Sequence, residues 1–140
     1  VKPGAVSEAL VSQVDIMATL AAAVGAELPT SAAHDSHNLL AVWKENARSP
    51  RRSIVHNTFE NTYAVRHENW LLIAAKSGAH SKVPPWFDKE QGYTEDDQPG
   101  ELYDLSTDLA QKVNLYAKEP AKVAELTALM KSIRARGQVR

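Results

Sequence analysis

Five histidines and seventeen carboxylates are the groups in this 140-residue sequence best suited to acid–base or metal chemistry. His34 and His37 stand three apart, a spacing that places both on one face of a helix. They fall at a loop–helix junction with no third ligand close in sequence, whereas zinc takes three or four. Capping or surface polarity is the plainer role for them. His56 and Asn57 sit within a β-like run, where a polar pair marks a sheet end or a cleft-facing position. His67 reads as a turn residue, and His80 lies in a long irregular stretch. In that stretch Asp88, Glu90, Glu95, Asp96 and Asp97 form an acidic run, read as a solvated loop rather than a cation site.

Several chemistries are excluded or lack their parts. There is no cysteine, so disulfides, cysteine–zinc sites and a thiol nucleophile are absent. Ser, His and Asp all occur, but no GxSxG elbow presents a serine. Neither GxxxxGK nor GxGxxG is present to cradle phosphate. A formal net charge of −1 argues against a nucleic-acid binder, and the "RSPRR" cluster reads as a solvated connector. No apolar run approaches the roughly 20 residues of a membrane span. No complete catalytic constellation emerges from these residues.

The elements that must position such side chains are more legible. The length fits one domain, enough to bury about 68–70% of the unfolded surface. In "SQVDIMATLAAAVGAELP", Ser12 and Asp15 suit a capping box, and Val14, Met17, Leu20 and Val24 recur at helical spacing. This predicts a helix over 12–24, stopped by Gly25, whose alanine-rich surface suits packing against a larger body. Leu39, Leu40 and Trp43 give a short second helix its apolar side. From residue 53 the period changes to two, and "SIVHNTF", "TYAVRH" and "WLLIAA" read as three antiparallel strands. Residues 76–99 read as a long irregular stretch that includes the aromatics Trp86 and Phe87. "ELYDL" reads as a fourth strand, and "STDLAQKVNLY" as a capped turn passing into a short helical segment. Pro120 opens a final helix in which Val123, Leu126, Met130 and Ile133 make one stripe, with Leu129 beside it. The predicted fold is α+β: a four-stranded antiparallel sheet with that C-terminal helix packed on one face.

One stretch, "ELYDLSTDLAQKVNL", resembles the C-terminal signature of sulfatases: E/Q-L-Y-D-L, two residues, D-P-x-E, then N-L. Glu101, Leu102, Tyr103, Asp104, Leu105, Asp108, Asn114 and Leu115 match, while Leu109 and Gln111 replace the usual Pro and Glu. Three further segments follow the family in the right order. "VSQVDIMATLAAAVGAELP" is similar to its vDxxPTLxxxaG helix, with Ala18 where Pro is common. "HDSHNLLAVWKE" is similar to DGxSLxPLLxG, and "YAVRHENWLLI" to the AVRxGDWKLI hairpin, with Leu71 for the common Lys. The opening "VKPGAVS" resembles the segment after an RWPG turn in these enzymes, and without an initiator Met it reads as a chain entered in the middle.

The resemblance implies an architecture and a division. Residues 1–46 would be helices from the tail of an alkaline-phosphatase-like α/β catalytic domain, and residues 47–140 the sulfatase C-terminal subdomain. It implies a parent that hydrolyses sulfate esters, using calcium and a formylglycine made from a C/S-x-P-x-R motif. That motif does not occur here, so no catalytic residue and no metal ligand is assigned, and the chain alone is expected to be inactive. In the family this subdomain borders the substrate cleft, which makes His56, Asn57, His80, Trp86 and Phe87 the candidates for cleft residues. The implied partner is a small-molecule or glycan sulfate ester, and periplasmic or secreted placement fits the family. The alternatives are a phosphodiesterase or phosphonate hydrolase of the alkaline phosphatase superfamily, or a non-catalytic binding module that forms homo-oligomers. "ELYDL" itself is expected to be architectural, with Tyr103 and Leu105 burying one side and Asp104 or Asp108 capping the next turn.

Overall fold

The computed structural model describes residues 2–29, 31–57, 61–76, 84–93 and 96–137. The chain divides into two compact units, Val1–Ile54 with Arg136–Arg140, and Val55–Ala135.

In the first unit a 3-10 turn, Gln13–Asp15, runs into helix α1, Ile16–Val24, and a short helix α2 follows at Leu40–Glu45. Asp15 accepts the Ser12 N–H at 2.9 Å, the expected cap. A second cap comes from far along the chain, since Ser36 Oγ accepts the Ala18 N–H at 3.0 Å. Such a partner satisfies one of the amides that every helix start leaves open. α1 turns its polar side inward: Asp15 and Thr19 are fully buried, while Met17, Leu20 and Val24 are exposed.

Strands β1 (Ser53–Asn57), β2 (Tyr63–His67), β3 (Trp70–Ile73) and β4 (Glu101–Asp104) form one sheet in the order β1-β2-β3-β4. The β2–β3 and β3–β4 pairs are antiparallel. His67 is not in the turn but closes β2 opposite Trp70, leaving Glu68 and Asn69 as a two-residue loop. The register lines up Val65, Leu72 and Leu102 on one face, and all three are buried. Helix α4, Pro120–Arg136, covers that face with buried Leu126, Met130 and Ile133. Two cations pin it along the hairpin. Lys122 Nζ lies 5.5 Å from the centre of the Trp70 ring, and the Arg134 guanidinium 3.7 Å from that of Tyr63. Lys122 and Arg134 stand about 18 Å apart at 1.5 Å rise per residue, close to the length of β2.

Two elements depart from the sequence reading. The stretch 76–99 contains a helix, α3, Pro85–Gln91. Its start and stop are chemically explicit: Pro85 at the first turn, Asp88 close behind, and Gly92 at φ +75° after the last turn. The segment after "ELYDL" forms turns rather than a helix. Asp108 Oδ2 captures the N–H groups of both Lys112 and Val113 at 2.8 Å, and Gln111 takes a left-handed φ of +55°. Both block the regular i to i+4 pattern.

Candidate functional site

The signature residues form a clasp on β4, an edge strand whose outer groups need partners. The side-chain carbonyl of Asn114 accepts the Leu102 N–H at 2.9 Å, and the Leu115 N–H donates to the Leu102 carbonyl at 2.8 Å. Asn114 Nδ2 donates to the Gly100 carbonyl at 3.1 Å and to Asp96 Oδ2 at 2.8 Å. Gly100 is buried so tightly that an added Cβ would stand 2.5 Å from the Tyr116 ring and 3.0 Å from the Ile73 carbonyl. Asp104 Oδ1 accepts both the N–H and the hydroxyl of Ser106, at 3.0 and 2.6 Å. The Lys112 and Val113 amides hold the Asp108 carboxyl below the usual carboxylate range. Both acids therefore cap turns. The buried pair is Leu102 and Tyr103, on opposite faces of the strand, while Leu105 is half-buried. Burial first, and the hydroxyl's bond to Glu101 Oε2 at 2.9 Å second, push the Tyr103 phenol well above its ordinary value.

The same clasp anchors the excursion that carries the aromatic candidates. Trp86 and Phe87 lie on α3 with ring centres 5.9 Å apart at 76°, and they are 64% and 38% exposed. No residue of α3 is buried, so the helix depends on its attachments. Tyr93, just beyond it, donates its hydroxyl to the Ala110 carbonyl at 3.1 Å and has Lys112 Nζ 5.9 Å from its ring centre. Asp96 is tied to Asn114, and Lys76 pairs with Asp97 at 2.9 Å. The last is an exposed pair worth little by itself. The architectural signature thus holds the base of the segment that presents two exposed aromatic rings.

The structure brings Trp86 and Phe87 together. His56 and Asn57 belong to another element, exposed at the end of β1, and as neighbours in a strand they point to opposite faces. His80 lies outside the described residues. Among the described residues no group of three or more His, Cys, Asp or Glu could hold a metal ion, and no helix is long and apolar enough to cross a membrane.

Sequence reading missed one buried centre. Arg51, in the supposed solvated connector, is fully enclosed with Asp15. Its Nε and Nη2 donate to the two carboxylate oxygens at 2.7 and 2.6 Å. Nη1 donates to the Ser53 carbonyl at 3.2 Å, and Nη2 also reaches the Asp35 carbonyl. The Ser12 and His37 amides complete the carboxylate at 2.9 Å each. Burial pushes the Asp15 carboxyl upward, but Arg51 and the two amides outweigh it, leaving the group below its ordinary value. A capping acid was visible in the sequence; its partner, 36 positions away, was not.

Comparison with known proteins matches these features to one group. No family model matches the chain. It is 35% identical over 136 residues to an N-acetylgalactosamine-6-O-sulfatase of Bacteroides thetaiotaomicron, a match covering 97% of the chain and 25% of that relative. A solved "6S-sulf" protein, from work on the metabolism of multiple glycosaminoglycans by Bacteroides thetaiotaomicron, is 32% identical with a TM-score of 0.70. That match covers 92% of the chain and 26% of the other. A structure solved with its substrate D-glucosamine-2-N,6-O-disulfate shares the fold, with 20% identity and a TM-score of 0.66 over 96% of the chain and 26% of the other. The chain spans about a quarter of the length of these relatives.

Proposed function

From the premise that this chain belongs to the sulfatase family, we propose that it is the C-terminal part of an enzyme hydrolysing sulfate esters on an amino-sugar glycan. One observation carries the reading: 35% identity along 97% of the chain to a sulfatase acting, by its name, on 6-O-sulfated N-acetylgalactosamine. The division at residues 46 and 47, between the tail of the catalytic domain and the C-terminal subdomain, belongs to this proposal. So does the role of this part, which is to build the sheet, clasp β4 and border the substrate cleft. Trp86 and Phe87 on α3 are the cleft residues best supported by geometry, because exposed aromatic faces stack on sugar rings. His56, Asn57 and His80 are the polar candidates of the same proposal.

The calcium and formylglycine of such an enzyme do not fit these residues. The sequence has no C/S-x-P-x-R, and the described residues offer no metal-binding group of three. No step of the sulfate chemistry is assigned to this chain. The test is release of sulfate from N-acetylgalactosamine 6-sulfate by the 140-residue chain and by the product of the complete reading frame. Turnover by the longer product alone, with C/S-x-P-x-R in its sequence, is the expected result. A longer product with neither the motif nor turnover would overturn the reading.

A further inference from the structure

We propose that the cavity between the Lys2–Ser7 segment and helix α2 binds an anionic sugar unit of a glycan. The choice of a sugar among anions of similar size rests on the reading of the chain as part of a glycan sulfatase. The cavity lies wholly within the first unit. Its volume is about 490 Å³, inside the roughly 300–1,000 Å³ range of small-molecule clefts.

Two local structures shape its walls. Pro3 and Gly4 form the corner of a turn closed by the Ala5 N–H on the Lys2 carbonyl at 3.1 Å. Proline at the first corner and glycine at the second, here at φ +72°, suit a type II turn. That turn forms one wall together with Lys2 and Ser7. The other wall is the end of α2, which stops at Asn46 in a left-handed conformation, with the Asn46 N–H on the Val42 carbonyl at 3.1 Å. Leu39 and Val42 anchor α2 in the core at 1% and 4% exposure. Trp43 lies one turn beyond Leu39, where its spacing predicts burial beside it. Instead it is 38% exposed and lines the cavity.

The lining selects the occupant. Trp43 offers a flat ring to the apolar face of a sugar, and Ser7, Glu45 and Asn46 offer donors and acceptors to its hydroxyls. Lys2 and Lys44 bring two ammonium groups against the single carboxylate of Glu45. Among the described residues neither lysine forms an ion pair. One positive charge is therefore left over, and a sulfate or carboxylate on the sugar neutralises it. A purely apolar ligand would leave both cations without a counter-charge. A bare inorganic anion would leave Trp43 uncovered and most of the cavity unfilled.

The test is titration calorimetry on the 140-residue chain and on the product of the complete reading frame. The probes are a chondroitin 6-sulfate oligosaccharide, its unsulfated counterpart, which keeps the carboxylates, and a neutral N-acetylhexosamine oligosaccharide. Both proteins should bind the first probe, more weakly as salt rises, and the neutral probe several-fold less tightly. Loss of affinity for the unsulfated probe would assign the anion to sulfate, and retained affinity would assign it to the carboxylate. Lys2→Gln with Lys44→Gln should weaken binding several-fold without changing thermal melting. Trp43→Ala should weaken it too, and Trp43→Phe, which keeps a ring, should restore much of it. Equal binding of the neutral probe would overturn the proposal. So would binding that Trp86→Ala abolishes while the Lys2, Lys44 and Trp43 variants leave it intact, or binding absent from the complete product. Calorimetry does not require turnover. A complete product that binds through Trp43 and the two lysines but releases no sulfate would refute the proposed activity and leave this site standing.

Discussion

Asn114 completes β4 with its side chain: its amide oxygen takes the Leu102 N–H at 2.9 Å, twelve positions earlier, as a neighbouring strand would. The Leu115 N–H, bonded to the Leu102 carbonyl, makes the imitation two-sided. An edge strand with its outer groups satisfied is closed to pairing with other chains. The two ends of "ELYDLSTDLAQKVNL" are thus partners in space, and this explains why a stretch without a nucleophile looks like a signature.

Asn114→Leu should therefore destabilise the sheet. It removes the partners of Leu102 and Gly100 and the tie to Asp96. One buried amide left unpaired costs about 1–3 kcal/mol, and denaturant unfolding should show at least that loss. Gly100→Ala should act in the same direction through the contact with Tyr116, by about 1–3 kcal/mol for an overpacked site. If both variants unfold at the native midpoint, the clasp is ornamental.

The Asp15–Arg51 pair gives a test in pH. Asp15 titrates below its ordinary value of 3.8 when folded. Its stabilisation is therefore complete above the unfolded value and is lost as pH falls through the folded one. Native stability should not vary with Asp15 between pH 7 and 5 and should fall below about pH 4. Arg51→Met should cost about 3–5 kcal/mol at pH 7, because it strands a buried carboxylate. That carboxyl then titrates high, so the variant should gain stability as pH falls from 7 to 5, a range over which Asp15 leaves native stability unchanged. Asp15→Asn combined with Arg51→Met should recover much of the loss. Parallel pH profiles for Arg51→Met and the native chain would refute the pairing account.

These two centres show what the sequence made legible. Period-two alternation over 53–75 and the stripe through Leu126, Met130 and Ile133 located the sheet and its covering helix, because one-sided burial leaves a local pattern. α3 went unread because seven residues are too few for a periodic signal; only Pro85 and Gly92 bracket it. Arg51 was read as solvated because the charge that encloses it comes from 36 positions away, beyond any local window. The same blindness affected α1. Its stripe was seen, but the buried bonds that turn it outward were not. Among the cleft candidates, adjacency made Trp86 and Phe87 visible, while their attachment through Tyr93 to Ala110 needed the folded chain.

Tyr103 predicts behaviour in alkali. Its folded phenol lies above the ordinary value of 10, so its contribution is complete below pH 10 and is lost as pH rises through the folded value. The Tyr103 phenolate absorbance should therefore develop above the ordinary phenol range and together with unfolding. Tyr103→Ala should lower stability by about 3–5 kcal/mol, as for other large buried rings, while Tyr103→Phe should lose only the hydroxyl's bond to Glu101. A Tyr103→Ala chain that melts like the native one would contradict the buried placement.

Trp86 separates binding from architecture. The side chain is 64% exposed and α3 contributes nothing to a buried core, so Trp86→Ala should leave thermal melting within about 0.5 kcal/mol of native. If the ring stacks on a sugar of the substrate, its removal from the complete enzyme should raise KM on a sulfated amino-sugar oligosaccharide several-fold with kcat little changed. That pattern marks binding shared by ground state and transition state. Phe87→Ala should do the same more weakly, since the edge-to-face contact at 5.9 Å orients Trp86. Tyr93→Phe should loosen α3 by releasing the Ala110 carbonyl, raising KM while both rings remain. Unchanged KM in all three variants would remove α3 from the cleft and leave it a surface excursion held by the clasp.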